Sequence, residues 1–323
     1  MVRIGIIGCG GNSRGHLYRL LNIEDAEIVA FSDIDISRAE AFSKIACREK
    51  KNCRSYRDYR KMIDNEDLDA VVISTPHVFH YEQAKYSLEN DLHVLIEKPL
   101  ACSSRQCEEI VNLAEKNKKV LLVSYQRHYI PKFVFAYKLI RSGKIGDVKQ
   151  INIWLMQAWR KNTMGKWRQD PSISCGGMFM DSGSHIVDLL LWFMDSRPLE
   201  VYSYIDNYDL RVDVYTSFVA KFENGAFADV TINGNAVRYD EYESIFGTEG
   251  AIFLTFSGVS YIDSNGDRVS PFKLPPASSP DENFINVILG KEENRCPGIY
   301  GLNVLRFTEA VYESAQSGRP VKI

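Results

Sequence analysis

The stretch Ile4-Gly5-Ile6-Ile7-Gly8-Cys9-Gly10-Gly11-Asn12-Ser13 decides how the first third of the chain folds. An apolar run ends at Gly8, and an amphipathic segment, residues 14–21, follows the next glycines. A strand that enters a helix through glycines at this spacing is typical of a dinucleotide-binding fold. Gly8 permits the tight turn, Gly10 lets the backbone approach a pyrophosphate, and the helix start offers N–H groups to that anion. The residues of this turn predicted to bind the cofactor are Gly8, Gly10, Gly11, Asn12 and Ser13.

Asp33 ends the second apolar run, at about the position where a ribose-binding acid follows the glycine turn, roughly 20 residues on. A carboxylate there accepts hydrogen bonds from a ribose diol and repels a 2′-phosphate. The next residues, Ile34 and Asp35, supply no cation, although Arg38 is not far away. The sequence therefore predicts NAD as the cofactor in preference to NADP. The alternative is that Asp33 only caps a turn or a helix.

Short apolar runs alternate with amphipathic segments up to about residue 123. This alternation predicts an α/β domain, residues 1–123, with a doubly wound parallel sheet of the Rossmann type. From residue 124 to 323 the strand-like stretches are longer, and residues 223–225 and 248–250 have turn composition. Consecutive hairpins predict a mostly antiparallel sheet in this second domain. Residues 181–193 and 300–317 have helical spacing.

The composition excludes several classes of protein. The chain has 323 residues, 25% of them charged, and a formal net charge of −3. This balance gives no electrostatic case for binding nucleic acid or an anionic membrane. The seven cysteines are scattered and form no Cys-x-x-Cys pair, so neither a disulfide framework nor a metal site is expected. With no signal-peptide pattern at the N-terminus, we expect reduced thiols in a cytoplasmic protein.

Glu97-Lys98-Pro99 directly follows a short apolar run, residues 94–96. In a doubly wound sheet the carboxyl ends of the strands face the ligand. A lysine at that position can donate a hydrogen bond to a substrate oxygen, and the proline restricts the backbone before it. Taken alone, however, the pattern also fits a surface charge pair.

A second segment, residues 176–188, carries Asp181, His185 and Asp188 behind two glycines. On a helix Asp181 and His185 share a face, and a carboxylate one turn away can orient an imidazole and stabilise its charged form. Asp188 is expected to do the same from the other side. The alternative is a helix cap next to a buried structural histidine.

With Ser74-Thr75-Pro76-His77, His80 and the segment 143–148, these motifs make the whole chain resemble the glucose–fructose oxidoreductase/inositol dehydrogenase family (Gfo/Idh/MocA). The resemblance implies a Rossmann domain followed by an α/β domain with a large open, mostly antiparallel sheet. It implies that the second domain binds substrate and forms a homodimer or homotetramer through its sheet. The implied substrate is a sugar, an inositol or a related cyclic polyol.

By motif position, the resemblance makes Lys98, Asp181 and His185 the catalytic residues. Trp167 and Arg168 resemble a pair near the substrate in some relatives, and Arg127 follows the last Rossmann strand, where it is expected to reach substrate. The residues implied to contact the nicotinamide half of the cofactor are Ser74, Thr75, Pro76, His77, His80, Glu97, Lys98 and Gln126. Two departures from the family pattern are Ser13, at the third glycine position, and Cys175, at the first glycine before the catalytic segment.

The resemblance leaves two other functions open besides a dehydrogenase or reductase. Some members of the family use NAD transiently and act as redox-neutral glycosidases or lyases. A non-catalytic NAD-binding regulatory protein is the other alternative, although such a protein has no need of a proton acceptor at His185.

Overall fold

The computed structural model describes residues 1–47 and 53–323. In chain order the strands are β1 (Val2–Ile7), β2 (Ala26–Ser32), β3 (Arg54–Tyr56), β4 (Ala70–Ile73), β5 (His93–Ile96), β6 (Leu121–Val123), β7 (Val148–Met156), β8 (Pro198–Asp206), β9 (Tyr215–Phe222), β10 (Phe227–Asn233), β11 (Asp240–Gly247), β12 (Ala251–Thr255), β13 (Gly258–Ile262), β14 (Arg268–Val269) and β15 (Val321–Lys322). The helices are α1 (Ser13–Leu20), α2 (Ile36–Ala46), α3 (Tyr59–Asn65), α4 (His80–Glu89), α5 (Ser104–Lys116), α6 (Pro131–Arg141), α7 (Trp159–Asn162), α8 (Pro171–Ser174), α9 (Ser184–Met194), α10 (Pro280–Ile288) and α11 (Gly298–Ser317).

The first six strands form a parallel sheet in the order β3-β2-β1-β4-β5-β6. This order confirms the predicted doubly wound Rossmann sheet. Its central strands are apolar on both faces because helices cover both sides, so the consecutive residues Val71 and Val72 of β4, which lie on opposite faces, are both completely buried. The strand order reverses between β1 and β4, which is where such sheets bind ligands at their carboxyl ends.

The chain divides into a first unit, residues 1–126 with 278–302, and a second unit, residues 127–277 with 303–323. The boundary after residue 126 lies three positions beyond the one placed by the sequence at 123/124. Residues 278–302, which the sequence left in the second domain, return to the first unit with α10. Helix α10 contacts α1 and β5, and these tertiary contacts carry no pattern in the local sequence.

The second unit contains a nine-stranded sheet in the order β14-β13-β12-β11-β7-β10-β9-β8-β15. Only β7 and β10 run parallel; the other neighbours are antiparallel, which confirms the predicted second sheet. The two predicted turns join β9 to β10 and β11 to β12. Burial alternates along β9, where Phe218 and Ala220 are buried while Val219 between them is exposed, because one face packs on the core.

The predicted helix over residues 181–193 is observed in two parts. A π-helical turn, Phe179–Gly183, precedes α9, so Asp181 lies in the wider turn and His185 in the regular helix. The sequence analysis did not identify β3, α3, α10 or the strands β13, β14 and β15 at the two ends of the second sheet. Each of these elements has nine residues or fewer, which is too short for a period to stand out in the sequence.

The expectation that the cysteines are reduced thiols is wrong for Cys47, Cys53, Cys102 and Cys175, which are disulfide-bonded. Cys47 and Cys53 form a disulfide, with Cα atoms 6.2 Å apart. The fold supplies this proximity, because α2 ends next to the segment that enters β3. Cys9, Cys107 and Cys296 carry buried thiols. The cysteines therefore no longer argue for a cytoplasmic location, which stays a prediction.

In the part of the chain that the structure describes, each helix is too short or too polar to cross a membrane.

Candidate active site

The glycine turn after β1 lies against the end of β4. Gly8 has a φ of 88°, and a Cβ atom there would lie 2.6 Å from the carbonyl oxygen of Ser74, so only glycine fits. Gly10 and Gly11 face open space. Ser13, the first residue of α1, is fully buried, and its hydroxyl oxygen has no hydrogen-bond partner among the described residues. An open backbone turn, a helix N-terminus and an unused hydroxyl group fit the pyrophosphate of a dinucleotide.

Asp33 fixes the conformation of this turn. Its Oδ2 atom accepts a hydrogen bond of 2.8 Å from the N–H group of Cys9, and its Oδ1 atom accepts one of 2.9 Å from Asp35. The guanidinium group of Arg38 lies 3.4 Å from the Asp35 carboxylate. Asp33 thus stabilises a turn, as the alternative stated, and the same two bonds orient its carboxylate at the carboxyl end of β2.

His80 joins the two loops that follow β4 and β5. Its ring nitrogens lie 2.9 Å from the carbonyl oxygen of Thr75 and 2.7 Å from that of Pro99. The side chain is fully buried, and this burial lowers the pKa of His80. His77 is also buried, with its ring 5.9 Å from that of His80. Of the residues implied to contact the nicotinamide, those in the loop after β4 are Ser74, Thr75, Pro76 and His77.

Glu97 and Lys98 are both buried, so the alternative of a surface charge pair does not describe them. The Oε1 atom of Glu97 accepts hydrogen bonds from His16, at 3.0 Å, and from the amide of Gln126, at 3.4 Å. Its Oε2 atom accepts one of 3.3 Å from the backbone N–H group of Lys98. The structure thus brings two predicted residues, Lys98 and Gln126, to a third, Glu97, which also binds His16, a histidine that the sequence analysis missed.

In the second unit Asp181 is the centre of a polar cluster. The carboxylate is 5% exposed, and its Oδ2 atom accepts hydrogen bonds from the indole of Trp159, at 2.8 Å, and from Arg168 Nε, at 2.9 Å. The Arg168 guanidinium also stacks over the ring of Trp167, 4.4 Å from its centroid. The predicted residues Asp181, Trp167 and Arg168 therefore lie together. Trp159 was not identified, because it reaches Asp181 across 22 positions of the chain.

His185 is half-buried in the first turn of α9. The expectation that Asp188 orients it is wrong. Both carboxylate oxygens of Asp188 lie within hydrogen-bond distance of Nε2 of His128, at 2.9 and 3.1 Å. The turn after β6 brings His128 to α9, a contact that residue spacing along the helix does not reveal.

Asp213 holds the segment that precedes Asp181. Its two carboxylate oxygens accept hydrogen bonds from the N–H groups of Gly177, at 2.8 Å, and Phe179, at 2.6 Å. Its carbonyl oxygen accepts a third, of 2.9 Å, from the intervening residue, Met178. The hydroxyl group of Tyr312 also donates to the carboxylate, at 2.7 Å. Sequence reasoning missed Asp213, because its partners Gly177 and Phe179 are 36 and 34 positions away in the chain.

Cys175 occupies the position where the family pattern has glycine. Its φ is 61°, in the left-handed region that favours glycine. The backbone at Cys175 therefore has a conformation that a glycine adopts without strain.

Arg127 is buried against an acidic pair. Its Nε and Nη2 atoms donate to one oxygen of Glu241, at 2.9 and 2.6 Å, and Tyr239 donates to the other. Burial raises the pKa of the Glu241 carboxyl group, but Arg127 outweighs it and lowers the value to about 2. Burial and the adjacent Glu241 carboxylate raise the pKa of Glu243 well above its usual value. Contact between Arg127 and a substrate stays a prediction. In this structure the guanidinium group binds Glu241 inside the second unit.

Comparison with known proteins identifies both units. Residues 2–125 match the model of the Gfo/Idh/MocA oxidoreductase family with an NAD-binding Rossmann fold, and residues 133–253 match the Gfo/Idh/MocA C-terminal domain. The chain is 28% identical to the uncharacterised oxidoreductase YrbE of Bacillus subtilis, over 99% of this chain and 96% of that one. It is 27% identical to inositol 2-dehydrogenase of Salmonella typhimurium, over 62% of this chain and 57% of that one.

The fold is also that of a solved sugar dehydrogenase. Levoglucosan dehydrogenase, in complex with NADH and L-sorbose, superposes with a TM-score of 0.90 at 20% identity, covering 100% of this chain and 99% of that one. The chain belongs to the Gfo/Idh/MocA family of oxidoreductases, and its first unit is an NAD-binding Rossmann domain.

Proposed function

We propose that this protein is an NAD-dependent dehydrogenase or reductase that interconverts a secondary alcohol and a ketone on a sugar, an inositol or a related cyclic polyol. The observation that carries the proposal is the set of buried polar side chains at the motif positions, with Lys98 after β5 and Asp181 before α9. Buried charged groups are costly unless they are paired or functional. The inositol and levoglucosan dehydrogenases among its relatives support a polyol as the substrate class.

The first unit supplies the residues that would hold the cofactor. The N-terminus of α1 and the hydroxyl group of Ser13 would bind the pyrophosphate, and Asp33 would accept hydrogen bonds from the adenosine ribose. The loops that follow β4 and β5 would contact the nicotinamide half. When bound, NAD supplies the hydride chemistry.

The second unit would supply proton transfer. His185 would remove the proton of the substrate hydroxyl group, since the unperturbed imidazole pKa, about 6.5, is close to the operating pH. Lys98 would donate a hydrogen bond to the same oxygen and stabilise its developing negative charge. Asp181, held by Trp159 and Arg168, would hydrogen-bond a neighbouring hydroxyl group of the substrate.

A screen for NAD⁺ reduction across inositol isomers, pyranoses, and amino and nucleotide sugars tests the proposal. With the substrate it identifies, His185→Ala should lower kcat by about 10²–10⁴-fold, the usual contribution of general acid–base catalysis, while NADH affinity stays within about twofold. His93→Gln is the control, because His93 accepts a backbone hydrogen bond from Val120 in the first unit. Full activity of His185→Ala would refute the assigned role.

The same screen separates the two alternatives. A dehydrogenase accumulates NADH in proportion to product. Product release without net NADH formation would indicate a redox-neutral glycosidase or lyase. NADH binding without turnover of any substrate in the screen would favour a regulatory protein.

The exposed face of the second sheet is the part of the protein that we propose for pairing with a second copy of the chain. Trp154 of β7, Val219 of β9 and Phe227 of β10 are 55, 48 and 49% exposed, and Tyr242 lies directly opposite Trp154 across the β7–β11 pair. Exposed apolar residues on neighbouring strands are typical of protein interfaces. Trp154→Glu should therefore lower the mass measured by light scattering to that of the monomer, whereas a monomeric wild type would refute the assignment.

A further inference from the structure

His16 is completely buried between two carboxylates in the first unit. Its Nδ1 atom lies 2.7 Å from Asp281 Oδ1, and its Nε2 atom lies 3.0 Å from Glu97 Oε1. The histidine belongs to α1, Glu97 directly follows β5, and Asp281 lies in the first turn of α10. One imidazole ring thus connects the glycine-turn helix, the strand end that carries Lys98, and the helix that returns to this unit.

Both ring nitrogens face a carboxylate acceptor, although Nδ1 also lies near a donor, the Nη2 atom of Arg19. The ring donates to both carboxylates only when both nitrogens carry protons. A neutral ring would leave one nitrogen lone pair facing a carboxylate oxygen in a buried position, which is costly. Arg19, on the same helix, also binds Asp281 and lies 3.2 Å from Nδ1 of His16 through its Nη2 atom. The two carboxylates are therefore balanced by two cations, His16 and Arg19.

The pKa directions agree with this charge balance. Burial opposes the charged form of His16, but Asp281 and Glu97 outweigh it and raise the pKa of His16 to about 9. Burial also opposes the charged form of Glu97 and raises its pKa. His16, followed by Lys98 and His80, lowers the pKa of Glu97 by more, so that the net direction is downward. The net direction for the pKa of Asp281 is also downward, with His16 and Arg19 opposing its burial.

We propose that His16 is a positioning residue for the reaction: as a permanent imidazolium it keeps Glu97 ionised and fixed, and Glu97 in turn fixes the backbone of Lys98 and the amide of Gln126. The chain of contacts runs from His16 Nε2 to Glu97 Oε1, and from Glu97 to the Lys98 N–H group, at 3.3 Å, and the Gln126 amide, at 3.4 Å. This inference rests on the proposed function, because it assigns His16 a task only if Lys98 acts on the substrate.

His16 is thereby distinct from a histidine that only fills the core. A structural histidine would need one hydrogen bond and no fixed charge. The ring of His16 is instead a buried cation between two carboxylates, one directly after β5 and one in α10. The loss of its proton would leave Glu97 with a buried charge opposite a neutral ring. The protonation state of Glu97, rather than packing alone, is then what His16 controls.

The first test needs neither substrate nor variant. In ¹⁵N NMR spectra of the full-length protein, both ring nitrogens of His16 should carry protons from pH 6 to 8. The assignment is made by the loss of the signals in His16→Gln. A ring with one unprotonated nitrogen at pH 7 would overturn the proposal, whatever the variants do and whether or not the protein turns over any polyol.

The second test compares His16→Gln with the control His93→Gln in the holoenzyme. Because a glutamine amide is neutral, Glu97 should take up a proton in the acidic range, and kcat should gain a second acidic limb in addition to the one that protonation of His185 gives the wild type. At neutral pH kcat should fall about tenfold or more, the usual effect of losing a hydrogen bond to a charged group, with the polyol KM nearly unchanged. The control should keep the wild-type pH profile.

The design separates the possible failures. A folded His16→Gln protein, shown by near-ultraviolet circular dichroism, with the wild-type kcat and pH profile would overturn the role of His16 and leave the proposed function standing. If no polyol is turned over by the wild type, the proposed function fails, and NADH affinity by fluorescence quenching replaces kcat as the readout. If the NADH affinity then does not differ between His16→Gln and His93→Gln from pH 5 to 9, the proposed positioning role of His16 is refuted.

Discussion

The backbone of Gly177 lies so close to Asp213 that a Cβ atom on Gly177 would stand 2.1 Å from the Asp213 carbonyl oxygen. This approach lets Asp213 accept hydrogen bonds from three successive residues, 177 to 179. The π-helical turn with Asp181 starts directly after the first two of them. The position of the candidate catalytic carboxylate therefore depends on a residue that is far from it in the sequence.

Gly177→Ala should disrupt this segment, since the added methyl group meets backbone atoms that cannot rotate away. We expect the free energy of unfolding to fall by about 3 kcal/mol or more, at the upper end of overpacking effects, and turnover to be lost. Urea unfolding and kcat measure the two effects. Gly258→Ala is the matched control, because a Cβ atom there meets nothing within 4 Å. Equal stability of the two variants would contradict the role of the close approach.

Tyr312→Phe should weaken the same segment more gently. It removes the hydroxyl group that donates to Asp213 and keeps the ring, which packs against Phe179 at 5.7 Å. A hydrogen bond to a charged group contributes roughly 1.5–3 kcal/mol, so the free energy of unfolding should fall by about that amount. Urea unfolding measures this loss against Tyr208→Phe, whose hydroxyl group belongs to an exposed side chain. A variant as stable as the control would show that Asp213 needs no help from Tyr312.

Glu243 should make the folded state less stable as the pH rises. Its folded pKa lies well above the usual 4.5, so the folded state binds the proton more tightly than the unfolded state does. The stabilisation is present below the unfolded pKa and is lost as the pH rises through the folded value. Glu243→Gln keeps an uncharged donor beside Glu241 and should remove this dependence. The free energy of unfolding of the variant should therefore increase relative to that of the wild type as the pH rises from 5 to 8.

Urea unfolding at each pH tests this prediction by the difference between the wild type and Glu243→Gln. That difference removes the contributions of the other titrating groups. The control is Glu249→Gln, at a side chain that is solvent-exposed. If the wild type and Glu243→Gln respond to pH in parallel, Glu243 is not a proton-holding group.

Asp33 should set the preference for NAD over NADP. In the double variant Asp33→Ser, Ile34→Arg, the repulsive carboxylate is replaced and a cation enters at a side chain that is 87% exposed. We expect the ratio of NADPH to NADH affinity to rise at least tenfold, with weaker NADH binding because the Cys9 turn loses its acceptor. Fluorescence titration of both cofactors measures the ratio, with Ile34→Arg alone as the control. A wild type that binds NADPH as tightly as NADH would refute this role of Asp33.

Local patterns were sufficient where the determining interactions are local. The glycines after β1 are required because a tight turn and a close backbone approach leave no room for a Cβ atom, as the contact of Gly8 with Ser74 shows. The parallel sheet follows from apolar runs that must be buried on both faces, and the second sheet from hairpin turns between alternating strands. The motif order was enough to identify the family, because each motif stands at a fixed place along the same strands and helices.

Local patterns failed where the partner of a side chain comes from another element. Asp188 pairs with His128 rather than His185, and Cys47 lies next to Cys53 because α2 ends beside β3. His16 was counted only as part of an amphipathic helix, although two carboxylates from elsewhere in the unit enclose it.

By itself, the sequence determined the two sheets, the glycine turn and the places of Lys98, Asp181 and His185 along the chain, because turn sterics and burial act over a few residues. Only the tertiary structure decided which polar groups are buried together: the His16 ring with the carboxylates of Glu97 and Asp281, and the Asp213 carboxylate with the backbone N–H group of Gly177. Electrostatic pairing depends on distance in space, and the partners in these pairs are separated by 36 to 265 positions in the chain.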